Sequence, residues 1–151
     1  MAMRPPVLLL AVHYNCALLS NRNPMHISYW CILFAGLLPI LTVSFAKNGK
    51  ADFDNHAPRA WMEQLTGLRR RADYAHRNHF EAFPFFAAAV LVAQQAGVAQ
   101  GRIDALAVAF IVIRVIYTAL YLRDLPSLRS LSWTAGYACV LGLFVVTALH
   151  S

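Results

Sequence analysis

The amino-acid sequence predicts an all-α membrane protein with four transmembrane helices. Its 151 residues are 59% hydrophobic and 13% charged, whereas soluble domains carry roughly 25% charged residues. The apolar residues form four long stretches that are separated by polar segments. A chain of this length folds as one domain, and a water-exposed globular core does not need four such stretches. We therefore expect the lipid bilayer to be the solvent of this chain.

The four predicted spans differ in how uniformly apolar they are. The first, residues 27–46, contains no charged residue and is long enough to cross about 30 Å of hydrocarbon at 1.5 Å per residue. The second, about residues 80–98, begins with charged and proline residues and ends with two glutamines. The third, residues 103–122, is apolar after its first turn except for Arg114, and the fourth, residues 131–149, is uncharged.

Residues 1–24 are predicted to be an N-terminal extension that precedes a four-span membrane domain at residues 25–151. Arg4 and the apolar residues after it are typical of the start of a signal peptide, but no small-residue cleavage site follows them cleanly. Met25 is an alternative start of the chain.

A short helix is expected in the loop before the second span. Apolar residues recur there at helical spacing: Trp61, Met62, Leu65 and Leu68. Asn55 and Pro58 precede them and are typical of a helix cap and a first helical turn. We expect this helix to lie at the membrane interface and to lead into the second span.

Basic residues are concentrated in two of the predicted loops. The loops between spans one and two and between spans three and four contain Lys47, Lys50, Arg59, Arg69, Arg70, Arg71, Arg77, Arg123 and Arg129. The positive-inside rule places both loops in the cytoplasm. The formal net charge of +6 is therefore explained by topology, and no nucleic-acid partner is predicted.

The sequence indicates neither a disulfide framework nor a metal site. The three cysteines follow no CxxC or zinc-type spacing: Cys16, Cys31 and Cys139. His76 and His79 are three residues apart, but only Glu81 is near enough to be a third ligand, and such histidines are more often exposed at loop ends. No phosphate-binding glycine loop, nucleophile elbow or HExxH helix is present in the sequence.

Two polar faces at membrane depth are candidate functional sites, because ionisable groups there are costly without a partner. Arg114 shares one face of the third span with Tyr117 and Tyr121, within an arc of roughly 80° at about 100° per residue.

The second polar face lies at the start of the second span. Arg77, Asn78 and Glu81 fall within about 100° of arc, and Arg77 and Glu81 have the i,i+4 spacing of an ion pair. Both faces are expected to point toward other helices or a water-filled pocket.

Two interpretations of these faces remain open at this stage. In the first, Glu81 neutralises Arg114 or Arg77, and the tyrosines complete the hydrogen bonding. In the second, these residues bind a ligand. The second interpretation follows from the excess of donors, since three arginines, an asparagine and two tyrosines offer more hydrogen bonds than one carboxylate accepts. A small ligand with several carboxylates, bound near the cytoplasmic ends of the helices, would pair the remaining donors.

Three segments carry a resemblance to a known family. They are AHRNHFEAFP at residues 75–84, RVIYTALY at 114–121 and LRS at 128–130. Together, in this order and within a four-span layout over residues 27–149, they resemble the MAPEG family, the membrane-associated proteins in eicosanoid and glutathione metabolism. The chain is most similar to the small bacterial members, which share a DNxxPR feature found here at Asp54, Asn55, Pro58 and Arg59.

The resemblance implies a transmembrane four-helix bundle that assembles as a homotrimer in the bacterial inner membrane and binds glutathione between subunits near the cytoplasmic face. Carried over by position, the residues that bind the tripeptide are Arg77, Asn78, Glu81, Arg114, Tyr117 and Tyr121. Arg129 and Ser130 would lie by the sulfur, where Arg129 stabilises the thiolate. The implied function is a glutathione-dependent transferase or peroxidase that acts on an apolar electrophile or lipid hydroperoxide.

Two other functions remain open. One is a non-catalytic lipid-binding or scaffolding protein of the same fold, and the other is a small proton-coupled exporter that uses Glu81 as its proton carrier. Arg77, one turn from Glu81, argues against the exporter. The sequence departs from the family pattern at Tyr74, where an arginine is common, and near the end of the first helix, where Lys47 is the only basic residue.

Overall fold

Four long helices and one short helix make up the part of the chain that the structure, a computed structural model, describes: residues 25–47 and 53–150. The helices are α1 Ile27–Lys47, α2 Pro58–Glu63, α3 Gly67–Gln95, α4 Gln100–Leu122 and α5 Pro126–Ala148. No strand occurs in the described residues, so the all-α prediction is confirmed there. The predicted N-terminal extension, residues 1–24, lies outside them.

Three of the helices are long and apolar enough to cross a membrane: α1, α4 and α5. They coincide with the first, third and fourth predicted spans. The second predicted span is the C-terminal part of α3, whose N-terminal part carries the charged residues of the preceding loop. One continuous helix therefore joins the charged region to the apolar region.

The short helix α2 confirms the helix expected before the second span, but its ends differ from the prediction. Ala57, and not Asn55, is the N-cap residue, and Pro58 occupies the first turn, where its missing amide hydrogen is not needed. The helix ends at Glu63. Gly67 then begins α3 with a φ of 57°, a left-handed backbone conformation that favours glycine.

The long helices pack through a core of small and aromatic side chains. α1 packs mainly against α3, and α4 mainly against α5. The rings of Phe86 on α3 and Phe110 on α4 are stacked with centroids 4.0 Å apart. Ala35, Ala89 and Ala107 are buried in the same cluster, and such small residues let neighbouring helix backbones approach closely.

α3 is also joined to α1 beside the proline of that helix. Pro39 cannot donate a backbone hydrogen bond, so α1 has one bond fewer at this point. His76 on α3 lies with its Nδ1 atom 2.8 Å from the Pro39 carbonyl oxygen. Because a carbonyl only accepts, the Nδ1–H group of His76 donates this hydrogen bond.

At the other end of the helices, Asp104 on α4 stabilises the first turn of α1. Its carboxylate accepts hydrogen bonds from the Ser28 amide at 2.9 Å and from the Gln100 side chain at 2.8 Å. Gln94 on α3 donates to the Ser28 hydroxyl at 2.9 Å. Asp104 thus acts as an N-terminal cap that is supplied by a different helix, where a negative charge also matches the helix dipole.

This contact predicts a stability effect. Replacing Asp104 by alanine leaves the Ser28 amide without an acceptor, and we expect the free energy of unfolding to fall by about 1–2 kcal/mol. Asp104→Asn keeps an oxygen acceptor and should lose less. Denaturant titration in detergent, followed by circular dichroism, measures the difference. An Asp104→Ala protein as stable as the wild type would contradict the capping role.

Candidate functional site

Six of the residues predicted from the sequence meet where α3, α4 and the start of α5 come together. We call this group the polar cluster; its members are Asn78, Glu81, Arg114, Tyr117, Tyr121 and Arg129. Successive members are linked by hydrogen bonds or ring contacts. Two predicted site residues, Arg77 and Ser130, lie outside it.

Arg114 is the centre of the polar cluster and is almost fully buried, with 2% of its surface exposed. Its Nη1 atom donates to the Asn78 side-chain oxygen at 3.0 Å. Its Nη2 and Nε atoms lie 2.8 and 3.2 Å from Nδ1 of His79. The guanidinium carbon also lies 4.4 Å from the centre of the Tyr117 ring, in a cation–π contact. None of these partners is a carboxylate.

The contact with Arg114 fixes the orientation of the Asn78 amide. Because a guanidinium only donates, the Asn78 oxygen must face Arg114 and its amino group must face the other way. That amino group donates to Glu81 at 3.0 Å. Glu81 is exposed and forms no ion pair within residues 25–47 and 53–150. Of the two interpretations left open by the sequence, the one in which Glu81 forms an ion pair with Arg114 or Arg77 is therefore not supported.

Arg77 pairs with carboxylates on the other side of α3. Its Nη2 atom lies 2.6 Å from Glu63, and its Nε atom lies 3.0 Å from Asp73. Arg70 also reaches Glu63, at 3.1 Å. Hydrogen bonds from Arg77 and then Arg70 hold the pKa of Glu63 below its usual range. Glu63 on α2 is thus a closer partner for Arg77 than Glu81, which is one turn away on the same helix.

The second side of α3 borders a cavity of about 510 Å³. Charged and imidazole groups line part of its wall, and these are Lys47, Arg59, Glu63, Asp73, His76 and Arg77. The face that the sequence predicts for Arg77, Asn78 and Glu81 is therefore divided. Asn78 and Glu81 belong to the polar cluster, and Arg77 belongs to this cavity.

Two tyrosines and Arg129 extend the polar cluster from α4 to α5. The Tyr117 and Tyr121 rings are in edge contact with centroids 5.4 Å apart. The Arg129 guanidinium lies 4.5 Å from the centre of the Tyr121 ring. Arg129 forms no ion pair with any other residue that the structure describes. Ser130, next to it, is exposed, and its carbonyl accepts a hydrogen bond from Thr134.

The position of Arg129 depends on the short connection between α4 and α5. Arg71 on α3 donates to the Leu122 carbonyl from Nε and Nη2, both at 3.3 Å, and lies 3.4 Å from the Asp124 carboxylate. Asp124 adopts a φ of 60°, which aspartate tolerates better than most residues. α5 begins at Pro126, so Arg129 lies in the first turn after a connection that α3 holds in place.

His79 and Thr118 complete the site, and the sequence analysis did not assign them to it. His79 was expected to be an exposed loop-end residue, but it is 3% exposed and lies inside the site. Its Nε2 atom is 2.8 Å from the Thr118 hydroxyl, which in turn donates to the Arg114 carbonyl at 3.0 Å. The only sequence signal is the i,i+4 spacing of Arg114 and Thr118. Among the described residues, no group of three or more His, Cys, Asp or Glu side chains is arranged to bind a metal.

Comparison with known protein families gives a match to the MAPEG family over residues 27–149. Neither the curated proteins nor the solved structures contain a significant match. The family match covers the three segments that carry the resemblance and all five helices described above. This chain, a membrane protein with apolar spanning helices, therefore belongs to the MAPEG family.

Proposed function

We propose that this protein is an integral membrane glutathione-dependent transferase or peroxidase that acts on apolar electrophiles or lipid hydroperoxides. The observation that carries the proposal is the state of Glu81 and Arg129. These opposite charges belong to one cluster, yet neither has an ion-pair partner among the described residues. Glutathione has one ammonium, two carboxylates and a thiol, so it supplies the groups that the cluster lacks.

Each end of the tripeptide has a partner of opposite charge in this proposal. Glu81 receives the ammonium, and the guanidinium groups receive carboxylates, which they bind well in bidentate geometry. Arg77 faces the cavity on the other side of α3, whereas Glu81 faces the polar cluster. In the proposed homotrimer, glutathione lies between subunits and contacts the cluster of one subunit and the Arg77 side of its neighbour.

Arg129 is the residue proposed to activate the thiol. A cysteine thiol has an unperturbed pKa of about 8.5, so only a few per cent is ionised at neutral pH. Lowering this pKa by two units requires about 2.7 kcal/mol of preferential stabilisation of the thiolate, which one partly desolvated cation can supply. Ser130, beside Arg129, is proposed to donate a further hydrogen bond to the sulfur.

The thiolate then donates its electron pair to the second substrate. With an electrophile, a carbon–sulfur bond forms and the leaving group departs with its electrons. With a lipid hydroperoxide, the sulfur attacks the terminal oxygen, the O–O bond breaks, and a proton converts the departing alkoxide to an alcohol. The resulting sulfenic acid reacts with the thiol of a second glutathione, which forms glutathione disulfide and releases water. The apolar substrate enters from the bilayer.

One departure from the family pattern has a structural counterpart that supports the proposal. Tyr74 stands where an arginine is common, but Arg70 donates to its hydroxyl at 2.9 Å. The Arg70 guanidinium lies 4.9 Å from the centre of the Tyr74 ring. A positive charge is therefore present beside this position although the residue itself is neutral.

The proposed assembly is based on membership of the MAPEG family. The four long helices form a transmembrane four-helix bundle, in which the apolar part of α3 is the second span. Three copies form a homotrimer in the bacterial inner membrane, with both long loops in the cytoplasm. Residues 25–151 make up this membrane domain, and residues 1–24 are an N-terminal extension. Exposed apolar side chains such as Leu33, Leu37, Leu141 and Val145 face lipid or a neighbouring subunit.

Replacing Arg129 tests the proposed activation of the thiol. When purified wild-type protein in detergent is titrated with glutathione, the ultraviolet absorbance of a thiolate should appear at neutral pH. Arg129→Ala should reduce that absorbance to the few per cent expected of a free thiol, because the pKa of the glutathione thiol returns to its unperturbed value. Turnover should fall by about 10-fold or more, because less thiolate is available. Arg129→Lys should retain part of both. Arg123→Ala, which removes a neighbouring exposed cation, is the matched control. Wild-type absorbance in Arg129→Ala would exclude this role.

Glu81 provides a test of glutathione recognition. Glu81→Gln removes the negative charge but keeps an oxygen for Asn78, and we expect the dissociation constant for glutathione to rise about tenfold, or about 1.4 kcal/mol. Isothermal titration calorimetry measures it, and Asp104→Asn removes one carboxylate charge at the other end of the helices as a control. Equal affinity of Glu81→Gln and wild type would contradict the ammonium site.

A panel of model electrophiles and lipid hydroperoxides separates an enzyme from a scaffold of the same fold. Turnover that requires glutathione supports the proposal. Saturable glutathione binding without turnover of any of these compounds would indicate a non-catalytic protein.

A further inference from the structure

His79 contacts Nε and Nη2 of the buried Arg114, whereas Asn78 contacts Nη1. Its Nδ1 atom is within hydrogen-bond distance of two nitrogens of Arg114, and its Nε2 atom is within hydrogen-bond distance of Thr118. The Tyr117 ring is in edge contact with the imidazole, with centroids 6.1 Å apart. His79 therefore has a defined partner on each ring nitrogen.

The hydrogen-bond partners of His79 determine which of its ring nitrogens carries a proton. The Arg114 guanidinium has no acceptor atom, so Nδ1 of His79 must accept and cannot carry a proton. A neutral imidazole then carries its single proton on Nε2, and that group donates to the Thr118 oxygen. Thr118 has one hydroxyl hydrogen, which it donates to the Arg114 carbonyl. The contacts among Arg114, His79 and Thr118 each pair a donor with an acceptor only if His79 is the neutral Nε2–H tautomer.

The order of donor and acceptor continues from Arg114 through Asn78 to Glu81. Arg114 donates to the Asn78 oxygen, and the Asn78 amino group donates to Glu81. Reversing any one amide or imidazole in this series would place two donors or two acceptors against each other. The orientation of Glu81 thus depends, through Asn78 and Arg114, on His79.

We propose that His79 is a positioning residue for glutathione: as the neutral Nε2–H tautomer, locked by Thr118, it orients Arg114 and thereby Asn78 and Glu81. The inference rests on the proposed function, because glutathione is the ligand whose binding it predicts. His79 acts on affinity for glutathione and not on the ionisation of the thiol, since Arg129 is on a different helix and makes no contact with it in the described structure.

The tautomer is measured without any ligand. In a ¹⁵N NMR spectrum of histidine-labelled protein in detergent, the His79 signals are those that disappear in His79→Asn. The proposal expects one unprotonated nitrogen, Nδ1, and one protonated nitrogen, Nε2, at neutral pH. A doubly protonated ring, or a proton on Nδ1, would overturn it.

Binding experiments then test the consequence for glutathione. His79→Leu removes both ring nitrogens, and we expect the dissociation constant for glutathione to rise about tenfold or more, because Nε and Nη2 of Arg114 lose their acceptor. His79→Asn keeps an oxygen near the position of Nδ1 and should bind within about threefold of the wild type. The thiolate absorbance at saturating glutathione should be unchanged in both variants.

Substitutions of Thr118 test the same role, with a smaller expected change in affinity. Thr118→Val removes the hydroxyl that orients His79 and should weaken glutathione binding by about threefold or more, whereas Thr118→Ser should restore wild-type affinity. Thr42→Val is the matched control, because the buried Thr42 hydroxyl makes the same within-helix bond, to the Leu38 carbonyl at 2.7 Å, on α1. A loss of folding alone would reduce the number of binding sites without changing their affinity.

The outcomes separate this inference from the proposed function. If the wild type binds glutathione and His79→Leu or Thr118→Val binds it equally well, the positioning role is wrong and the proposed function stands. If the wild type does not bind glutathione, the proposed function is wrong, and the positioning role for that ligand is wrong with it. The NMR measurement still decides the tautomer in that case.

Discussion

The burial of the Arg114 guanidinium among the helices is the constraint on which the site depends. A buried cation is costly unless it is hydrogen-bonded, and at membrane depth water cannot supply the missing partners. Here the direct partners are an imidazole nitrogen, an amide oxygen and a tyrosine ring, and none is a carboxylate. Each of the three guanidinium nitrogens therefore has a hydrogen-bond partner, but no carboxylate neutralises the charge. Such a site remains attractive to an anion.

This constraint also explains the roles of the neighbouring residues. Asn78 can accept from Arg114 only with its oxygen, so its amino group is left for Glu81. Arg77 belongs to the opposite side of α3, where Glu63 and Asp73 compensate its charge. One 29-residue helix thus carries two polar faces with different electrostatics, one with paired charges and one with charges that lack a partner.

Local sequence patterns predicted the parts of the fold and site that depend on one helix at a time. Three spans followed from hydropathy, and the shared face of Arg114 and Tyr117 followed from helical spacing. The partner of Arg77 did not, because Glu63 reaches it only after the chain turns at Gly67. His79 was missed for a similar reason. Whether a histidine faces lipid, water or a neighbouring helix depends on how α3 is rotated against α4, and a short sequence pattern does not predict that rotation.

The central claim is that this cluster binds glutathione as a thiolate. The most direct measurement is the number of protons released when glutathione is added to the purified protein in weakly buffered detergent solution near neutral pH. Because free glutathione is mostly protonated on sulfur at that pH, the claim predicts saturable binding with release of about one proton per molecule bound. Saturable binding without proton release, or no binding at all, would contradict it.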